Sequence, residues 1–167
     1  MLENKRLRKL VFEQGEIETL IRENYMRIYK YCFYHVANRD VAQDITQDVF
    51  LKFVKELDRY KEYGKLSNYL YVIAKNSIRD YMRKRKDANL EVIAERSDDG
   101  GIDKKIDQIC IWKALNSLDK LEKDIVVLRY YQELRIKDIA QIVNLPASTV
   151  RYKLKNAERI LKKRLEL

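Results

Sequence analysis

The chain has 167 residues, with 35 Lys and Arg against 26 Asp and Glu and a formal net charge of +9, which suits one ordinary domain or two small ones. No stretch approaches the roughly 20 apolar residues that cross a bilayer, the segment Met1–Leu10 lacks the apolar core of a signal peptide, and Cys32 and Cys110 form no paired framework. These features exclude a membrane-spanning protein and a disulfide-rich secreted one, and they predict a protein of the reducing cytoplasm without direct membrane insertion.

The N-terminal part of the chain is predicted to be helical. Four glycines and one proline in the whole sequence leave little room for hairpin turns, so we expect an all-α fold. Apolar side chains recur at steps of three and four residues, which is the period of one helix face. A first amphipathic helix uses Ile17, Leu20, Ile21, Tyr25, Ile28, Tyr31 and Cys32.

Two more amphipathic helices follow, the first from about Val41 to Leu57 and the second after a break around residues 63–65. Their apolar faces predict that all three helices share one core, in a domain of residues 1–86. The predicted buried residues are Ala42, Ile45, Val49, Phe50, Phe53 and Leu57 in the second helix, and Leu66, Tyr69, Leu70, Ile73, Ala74, Ser77 and Tyr81 in the third.

Residues 87–105 interrupt this helical pattern. They hold six acidic and three basic residues, and Asp98-Asp99-Gly100-Gly101 is expected to be their most flexible part. Weak periodicity and few aromatic residues indicate a flexible acidic linker. Helical structure is expected to resume near Ile106, which gives a second small helical domain of residues 106–167.

The C-terminal residues predict a helix-turn-helix. Ile136, Ile139, Ala140 and Val143 mark one apolar face, Asn144 can adopt the left-handed conformation that ends a helix, and Pro146 suits the start of the next. A second apolar stripe lies opposite a cationic face, as in a major-groove reading helix, although a helical hairpin with a solvated basic face fits the same residues. The stripe is formed by Val150, Leu154, Ala157, Leu161 and Leu165.

The positive charge is concentrated in two helices. Residues 65–86 and residues 151–164 each carry a net charge of +6, and the remaining 131 residues sum to −3. Two separate basic helices on a nearly neutral body indicate two contacts along one polyanion. A helix lying on a membrane surface is the weaker alternative, because the apolar residues of both segments are already assigned to the protein core.

The sequence shows no catalytic constellation, and we expect neither an enzyme nor a cofactor. It has no glycine-rich phosphate loop and a single histidine. Cys32 and His35 could begin a metal site, but no second Cys/His pair completes it, so core packing of Cys32 is favoured and no metal is expected. A nuclease using Asp98 and Asp99 is weaker still, because both lie in the predicted linker.

Three segments together resemble the sigma-70 family of bacterial RNA polymerase sigma factors. Residues Asp40–Phe53 and Leu66–Lys86 are similar to region 2, and residues 118–163 are similar to region 4. With two such modules and a short acidic linker, the chain resembles the extracytoplasmic-function (ECF) group. The resemblance implies a transcription initiation factor that brings core polymerase to a subset of promoters and promotes DNA melting.

The resemblance also implies a polymerase-binding surface. In the family, an acidic and amide face of region 2 binds the clamp coiled coil of the β′ subunit, and region 4 meets the β flap. The positions that match the first contact are Asp44, Gln47, Asp48 and Leu51. A charged and amide rim around an exposed leucine is typical of a protein interface with polar specificity.

A second implied surface recognises and opens the minus-ten promoter element. Base reading is expected from Asn76 and the 63–67 loop, with phosphate contacts from neighbouring cations and Asp80 orienting them. The chain departs from the family at Tyr69, where Trp is usual. Tyrosines 60, 63 and 71 are candidates for base stacking, with core or surface roles as alternatives. The predicted minus-ten residues are Tyr63, Lys65, Lys75, Asn76, Arg79, Asp80, Arg83 and Lys84.

The third implied surface is the minus-thirty-five reading helix. Arg151 can make a bidentate contact to guanine, and the helix start is suited to phosphate. Asn144 and Asn156 depart from a common glycine and a frequent basic residue. The predicted residues are Ser148, Thr149, Arg151, Tyr152, Lys155 and Asn156.

One further partner and one alternative follow from this interpretation. Besides core polymerase and promoter DNA, the family is commonly bound by an anti-sigma factor. The alternative is a free-standing helix-turn-helix repressor or activator, which would bind duplex DNA without polymerase.

Overall fold

The computed structural model describes residues 14–57, 65–88 and 102–165, and within them the fold is all-α, as predicted. The chain divides into two compact units, unit 1 (Met1–Ile93) and unit 2 (Ala94–Leu167). Within the described ranges, no helix combines the length and the apolar character that crossing a membrane requires.

In the described part of unit 1, three helices pack against one another: α1 (Gln14–Val36), α2 (Arg39–Glu56) and α3 (Leu66–Asp87). The turn from α1 to α2 needs only two residues. Ala37 adopts a left-handed φ of 51°, and the side chain of Asn38 caps α2 by accepting a hydrogen bond from Val41 N at 2.8 Å. This tight turn makes α1 and α2 neighbours in a helical hairpin.

The core of unit 1 follows the predicted apolar stripes. Five of the six predicted residues of the α2 stripe are buried, and the sixth, Leu57, is half-buried. Cys32 is also fully buried, which confirms its core role, and burial raises the pKa of its thiol to about 12. The buried α2 residues are Ala42, Ile45, Val49, Phe50 and Phe53.

Tyr69 occupies the position where the family usually has Trp. Its ring lies 6.3 Å from that of Phe53, and its hydroxyl donates a hydrogen bond of 2.6 Å to Glu56 Oε2. Tyr69 therefore ties the start of α3 to the end of α2, combining an aromatic contact with a polar one.

In the described part of unit 2, four helices and one π turn follow in order. They are α4 (Ile102–Asn116), α5 (Lys120–Val126) with its π-helical continuation Val127–Tyr131, α6 (Ile136–Val143) and α7 (Ala147–Arg164). Helix α4 begins four residues before the predicted Ile106, and most of the predicted linker lies outside the described residues. In the π turn, Gln132 N donates to Val127 O at 3.1 Å.

The junction between α4 and α5 contains a buried lysine. Asp119 caps α5 by accepting from Glu122 N at 2.7 Å. Lys123, only 8% exposed, donates to Asn116 Oδ1 at 2.7 Å and lies 5.6 Å from the centre of the Trp112 ring. Burial lowers the pKa of Lys123 from 10.5 to about 8, and the nearby carboxylate of Asp124 partly offsets this.

Helices α6 and α7 form the predicted helix-turn-helix. Asn144 ends α6 in the left-handed conformation, at φ 56° and ψ 51°, which confirms the expected turn. Leu145 N then donates to Ala140 O at 3.0 Å, and Pro146 occupies the cap position just before α7. The apolar faces of both helices are buried through Ile139, Ile142, Val143, Val150, Leu154 and Ala157.

Candidate partner and nucleic-acid surfaces

The outer face of α2 is the candidate polymerase surface. Asp44 and Gln47 are exposed, and Leu51 is 60% exposed beside them, because they lie opposite the buried stripe of the same helix. Val54, a turn further along, is 44% exposed and extends the apolar part of this face. Sequence reasoning missed Val54, although its spacing of three residues from Leu51 was a signal for it.

Asp48 differs from the other three predicted residues because it is held at the seam between α2 and α3. Its Oδ2 lies 2.7 Å from Lys52 Nζ and 3.4 Å from the hydroxyl of Ser77, and Lys52 Nζ also donates to Ser77 Oγ at 3.0 Å. Asp48 is half-buried and Ser77 is buried. Neither Lys52 nor the polar role of Ser77 was predicted.

The outer face of α3 is the first candidate nucleic-acid surface. Asn76, Arg79 and Arg83 are exposed at helical spacing, with Lys84 exposed next to them. Lys75 is half-buried. The structure therefore brings the amide of Asn76 and the cations of Arg79 and Arg83 together along one exposed side of α3, with Lys84 on the adjoining side.

Charged and aromatic groups constrain two arginines of α3. Asp80 Oδ1 lies 3.5 Å from a guanidinium nitrogen of Arg83, one turn further along. Arg85, which was not predicted, stacks 5.8 Å from the centre of the Tyr81 ring and donates to its hydroxyl at 3.2 Å.

The start of α3 is only partly described. Lys65 is exposed at the N-cap, whereas Tyr63 and Tyr60 lie outside the described residues. Tyr71 is 2% exposed and packs edge-to-face on Tyr31 at 5.4 Å, with its pKa raised to about 12 by burial. Of the roles left open for Tyr71, the core role is therefore the one that the structure supports, because its buried ring cannot stack on a base.

The N-terminal half of α7 is the second candidate nucleic-acid surface. Ser148, Arg151 and Lys155 are exposed, and Tyr152 is 73% exposed. Thr149 is half-buried. The first turns of α7 thus present hydroxyl, guanidinium, phenol and ammonium groups on an open helix face, which are groups that bind phosphates and base edges.

Asn156 stands apart from that surface. It is half-buried, its amide donates to Glu122 Oε1 at 2.6 Å, and its oxygen accepts from Arg159 at 3.0 Å. The amide of Asn156 therefore links α7 to the buried Glu122 of α5, and a role in reading DNA stays a prediction.

Two more contacts hold α7 against the preceding elements. Lys153 Nζ lies 3.1 Å from Asp119 Oδ2, and Tyr130 in the π turn donates a hydrogen bond to Glu158. The hydrogen bond to Glu158 raises the pKa of Tyr130, and bonds from Glu122 N and Lys153 lower the pKa of Asp119 despite some burial. Sequence reasoning missed this set of contacts, although Asp119 and Glu122 have capping-box spacing.

Comparisons with known proteins match both units. The family model for Sigma-70 region 2 matches residues 20–88, and that for Sigma-70 region 4 matches residues 108–161. The ECF RNA polymerase sigma factor SigW of Bacillus subtilis is 28% identical over 156 residues, covering 83% of each chain. The RNA polymerase sigma factor SigV of the same organism is 25% identical over 150 residues, covering 86% of this chain and 87% of its own.

A solved structure is similar in fold. The sigma factor RpoE of Bartonella quintana, crystallised with the anti-sigma factor NepR, superposes with a TM-score of 0.75 at 20% identity. The match covers 91% of this chain and 98% of that chain.

Proposed function

Because this chain belongs to the sigma-70 family of RNA polymerase sigma factors, in its ECF group, we propose that its units divide promoter recognition between them. Residues 1–86 bind core polymerase and the minus-ten element, and residues 106–167 bind the minus-thirty-five element and the β flap. The observation that carries this proposal is the order of the two matched regions, each of which coincides with a helical unit that exposes a cationic helix.

The α3 surface is suited to a melted strand. Asn76 offers both a donor and an acceptor to a base edge. Arg79 and Arg83 lie along the same exposed side, and Lys84 is exposed beside Arg83, so all three can neutralise phosphates. Capturing a base outside the stack stabilises the open form of the DNA. We therefore assign base capture to Asn76, together with Tyr63 and Lys65 from the segment just before α3.

The α7 surface is suited to duplex DNA. Arg151 and Lys155 project from the first half of an exposed helix, which is the part of a reading helix that enters the major groove. Ser148 and Thr149 lie in the first turn, where hydroxyl and backbone N–H groups can bind phosphate and fix the register. Sequence selectivity is assigned to Arg151, with Tyr152 and Lys155 beside it.

The outer face of α2 is suited to the clamp coiled coil of β′. Asp44 and Gln47 provide polar specificity one to two turns before the exposed Leu51 and Val54, so the face combines an acidic and amide part with an apolar part. Asp48 completes this surface at the seam with α3.

In vitro transcription with purified bacterial core polymerase tests the proposal. Addition of this chain should produce new start sites on a promoter library, and core polymerase alone provides the control. Retained duplex binding without any chain-dependent start site would refute the sigma function and favour a repressor or activator.

We also propose that the chain acts in the cytoplasm and is held inactive by an anti-sigma protein. The solved RpoE structure, in which that sigma factor is bound by NepR, supports such a partner. Both cationic helices are exposed, so an inhibitor has accessible surfaces to cover. Affinity capture from unstressed cells should recover one stoichiometric protein besides polymerase, and recovery of polymerase alone contradicts this proposal.

A further inference from the structure

Lys52 and Ser77 form a closed polar cluster with Asp48. Lys52 Nζ contacts Asp48 Oδ2 at 2.7 Å and donates to Ser77 Oγ at 3.0 Å, while the Ser77 hydroxyl faces the same Oδ2 at 3.4 Å. A hydroxyl has one donor and two acceptor positions, so Ser77 can accept from Lys52 and donate to Asp48 at once.

The cluster connects the half-exposed carboxylate of Asp48 to the buried side chain of Ser77. Ser77 is 6% exposed and lies on the core side of α3, between the buried Ala74 and Ile78. Asp48 and Lys52 remain about half exposed. Since both contacts use Oδ2, the carboxylate of Asp48 is oriented and Oδ1 is the oxygen left, within the described part of the chain, for an outside donor.

We propose that Lys52 and Ser77 are positioning residues for the contact between Asp48 and polymerase. An oriented carboxylate loses less side-chain freedom on binding than a mobile one, so the cluster increases affinity without contributing an atom to the interface. Ser77 is also next to Asn76, so the same turn of α3 anchors the polymerase-binding carboxylate and carries the residue assigned to base capture. This inference rests on the proposed role of Asp48.

A core-binding titration with three variants of the cluster and one control variant tests the proposal. Ser77→Ala removes the hydroxyl and Lys52→Met removes the ammonium, and each should weaken core binding about threefold to tenfold. Lys52→Arg keeps the charge and should restore most of the affinity. Lys30→Met, at an exposed lysine of α1, removes the same charge elsewhere and should bind as the wild type.

Two further measurements separate positioning from a structural defect. All variants should keep the wild-type helical circular dichroism. At saturating core polymerase, Ser77→Ala should open promoters as well as the wild type, because only the affinity for polymerase has changed. A defect that persists at saturation would overturn the positioning role.

Making Ser77→Ala in a variant that already carries Asp48→Asn shows whether Ser77 affects core binding through Asp48. If Ser77 acts through Asp48, Ser77→Ala should cause no further loss of affinity in Asp48→Asn. An undiminished effect of Ser77→Ala in that background refutes the positioning role alone. If Asp48→Asn alone binds core polymerase with wild-type affinity, the proposed contact between Asp48 and polymerase is refuted. The positioning role of Lys52 and Ser77 is then refuted as well.

Discussion

Replacement of the buried Lys123 by methionine should stabilise unit 2 in a pH-dependent way. The ammonium is enclosed by Trp112 and Asn116, and its pKa is lowered from 10.5 to about 8. Each pKa unit corresponds to about 1.36 kcal/mol, so burying the charged form costs about 3 kcal/mol at most. Methionine keeps the unbranched apolar stem and removes the charge, while the exposed Asn116 can return to water.

The sign of the pH dependence follows from proton binding. Between pH 8 and 10.5 the unfolded chain keeps the Lys123 proton and the folded chain releases it, so the free energy of unfolding of the wild type rises with pH. Below pH 8 both states are protonated and the full cost is present. Lys123→Met should therefore be more stable than the wild type by about 1–2 kcal/mol at pH 7, allowing for the lost hydrogen bond to Asn116 and the lost cation–π contact with Trp112. The difference should shrink towards zero near pH 10.5.

Urea denaturation followed by tryptophan fluorescence measures this effect. Trp112 is the one tryptophan of the chain and belongs to unit 2, so its emission reports on that unit. With a slope of about 1 kcal/mol per M urea, the midpoint at pH 7 should rise by about 1 M for each kcal/mol gained. Lys120→Met, at an exposed lysine of the same helix, is the control. A destabilised Lys123→Met, or a difference from the wild type that stays constant from pH 7 to 10.5, would show that the burial argument is incorrect.

Four further predictions concern the proposed surfaces and one backbone position. The double variant Asp44→Arg with Asp48→Arg should lose core binding and keep its helical content. An unchanged affinity for core polymerase would show that this face does not bind it. Arg151→Ala should cost about 1–3 kcal/mol at a preferred upstream sequence and relax selectivity there, as measured by DNA binding across single-base variants of the site. Asn76→Ala should reduce permanganate reactivity of the open complex while sparing duplex binding by unit 2, and normal melting would exclude base capture by Asn76. Glu133 is exposed and has a left-handed φ of 56°, so Glu133→Gly should relieve strain and stabilise unit 2 by about 0.5–1 kcal/mol, as followed by urea denaturation.

The fold was largely predictable because helical periodicity reports which residues are buried. Helix α6 runs from Ile136 to Val143, the first and last residues of the predicted stripe, and Asn144 ends it in the expected conformation. These features depend on residues close in sequence, so local patterns were sufficient. The sequence predicts a helix only from near Ile106, whereas α4 begins at Ile102, because residues 102–105 are mostly polar and show no apolar face.

The polar contacts within the candidate surfaces were not predictable in the same way. Ser77 was placed in the apolar stripe of α3, yet its hydroxyl faces Asp48, which is 29 residues away. Asn156 was placed on the DNA surface, yet its amide contacts Glu122, 34 residues away. A periodic pattern gives the face of a helix but cannot identify a polar partner on another helix, so such contacts require the folded structure.

The π turn at Val127–Tyr131 has a consequence for how the chain tolerates changes in length. Its hydrogen bond from Gln132 N to Val127 O spans five residues, one more than an α-helical bond. Deleting one residue within the turn can restore an ordinary α-helical turn, whereas each residue removed from α7 rotates the remainder of that helix by about 100°. An evolving sequence can therefore lose a residue at the π turn more easily than between Arg151 and Lys155, where a deletion would move one of the two cations off the exposed face.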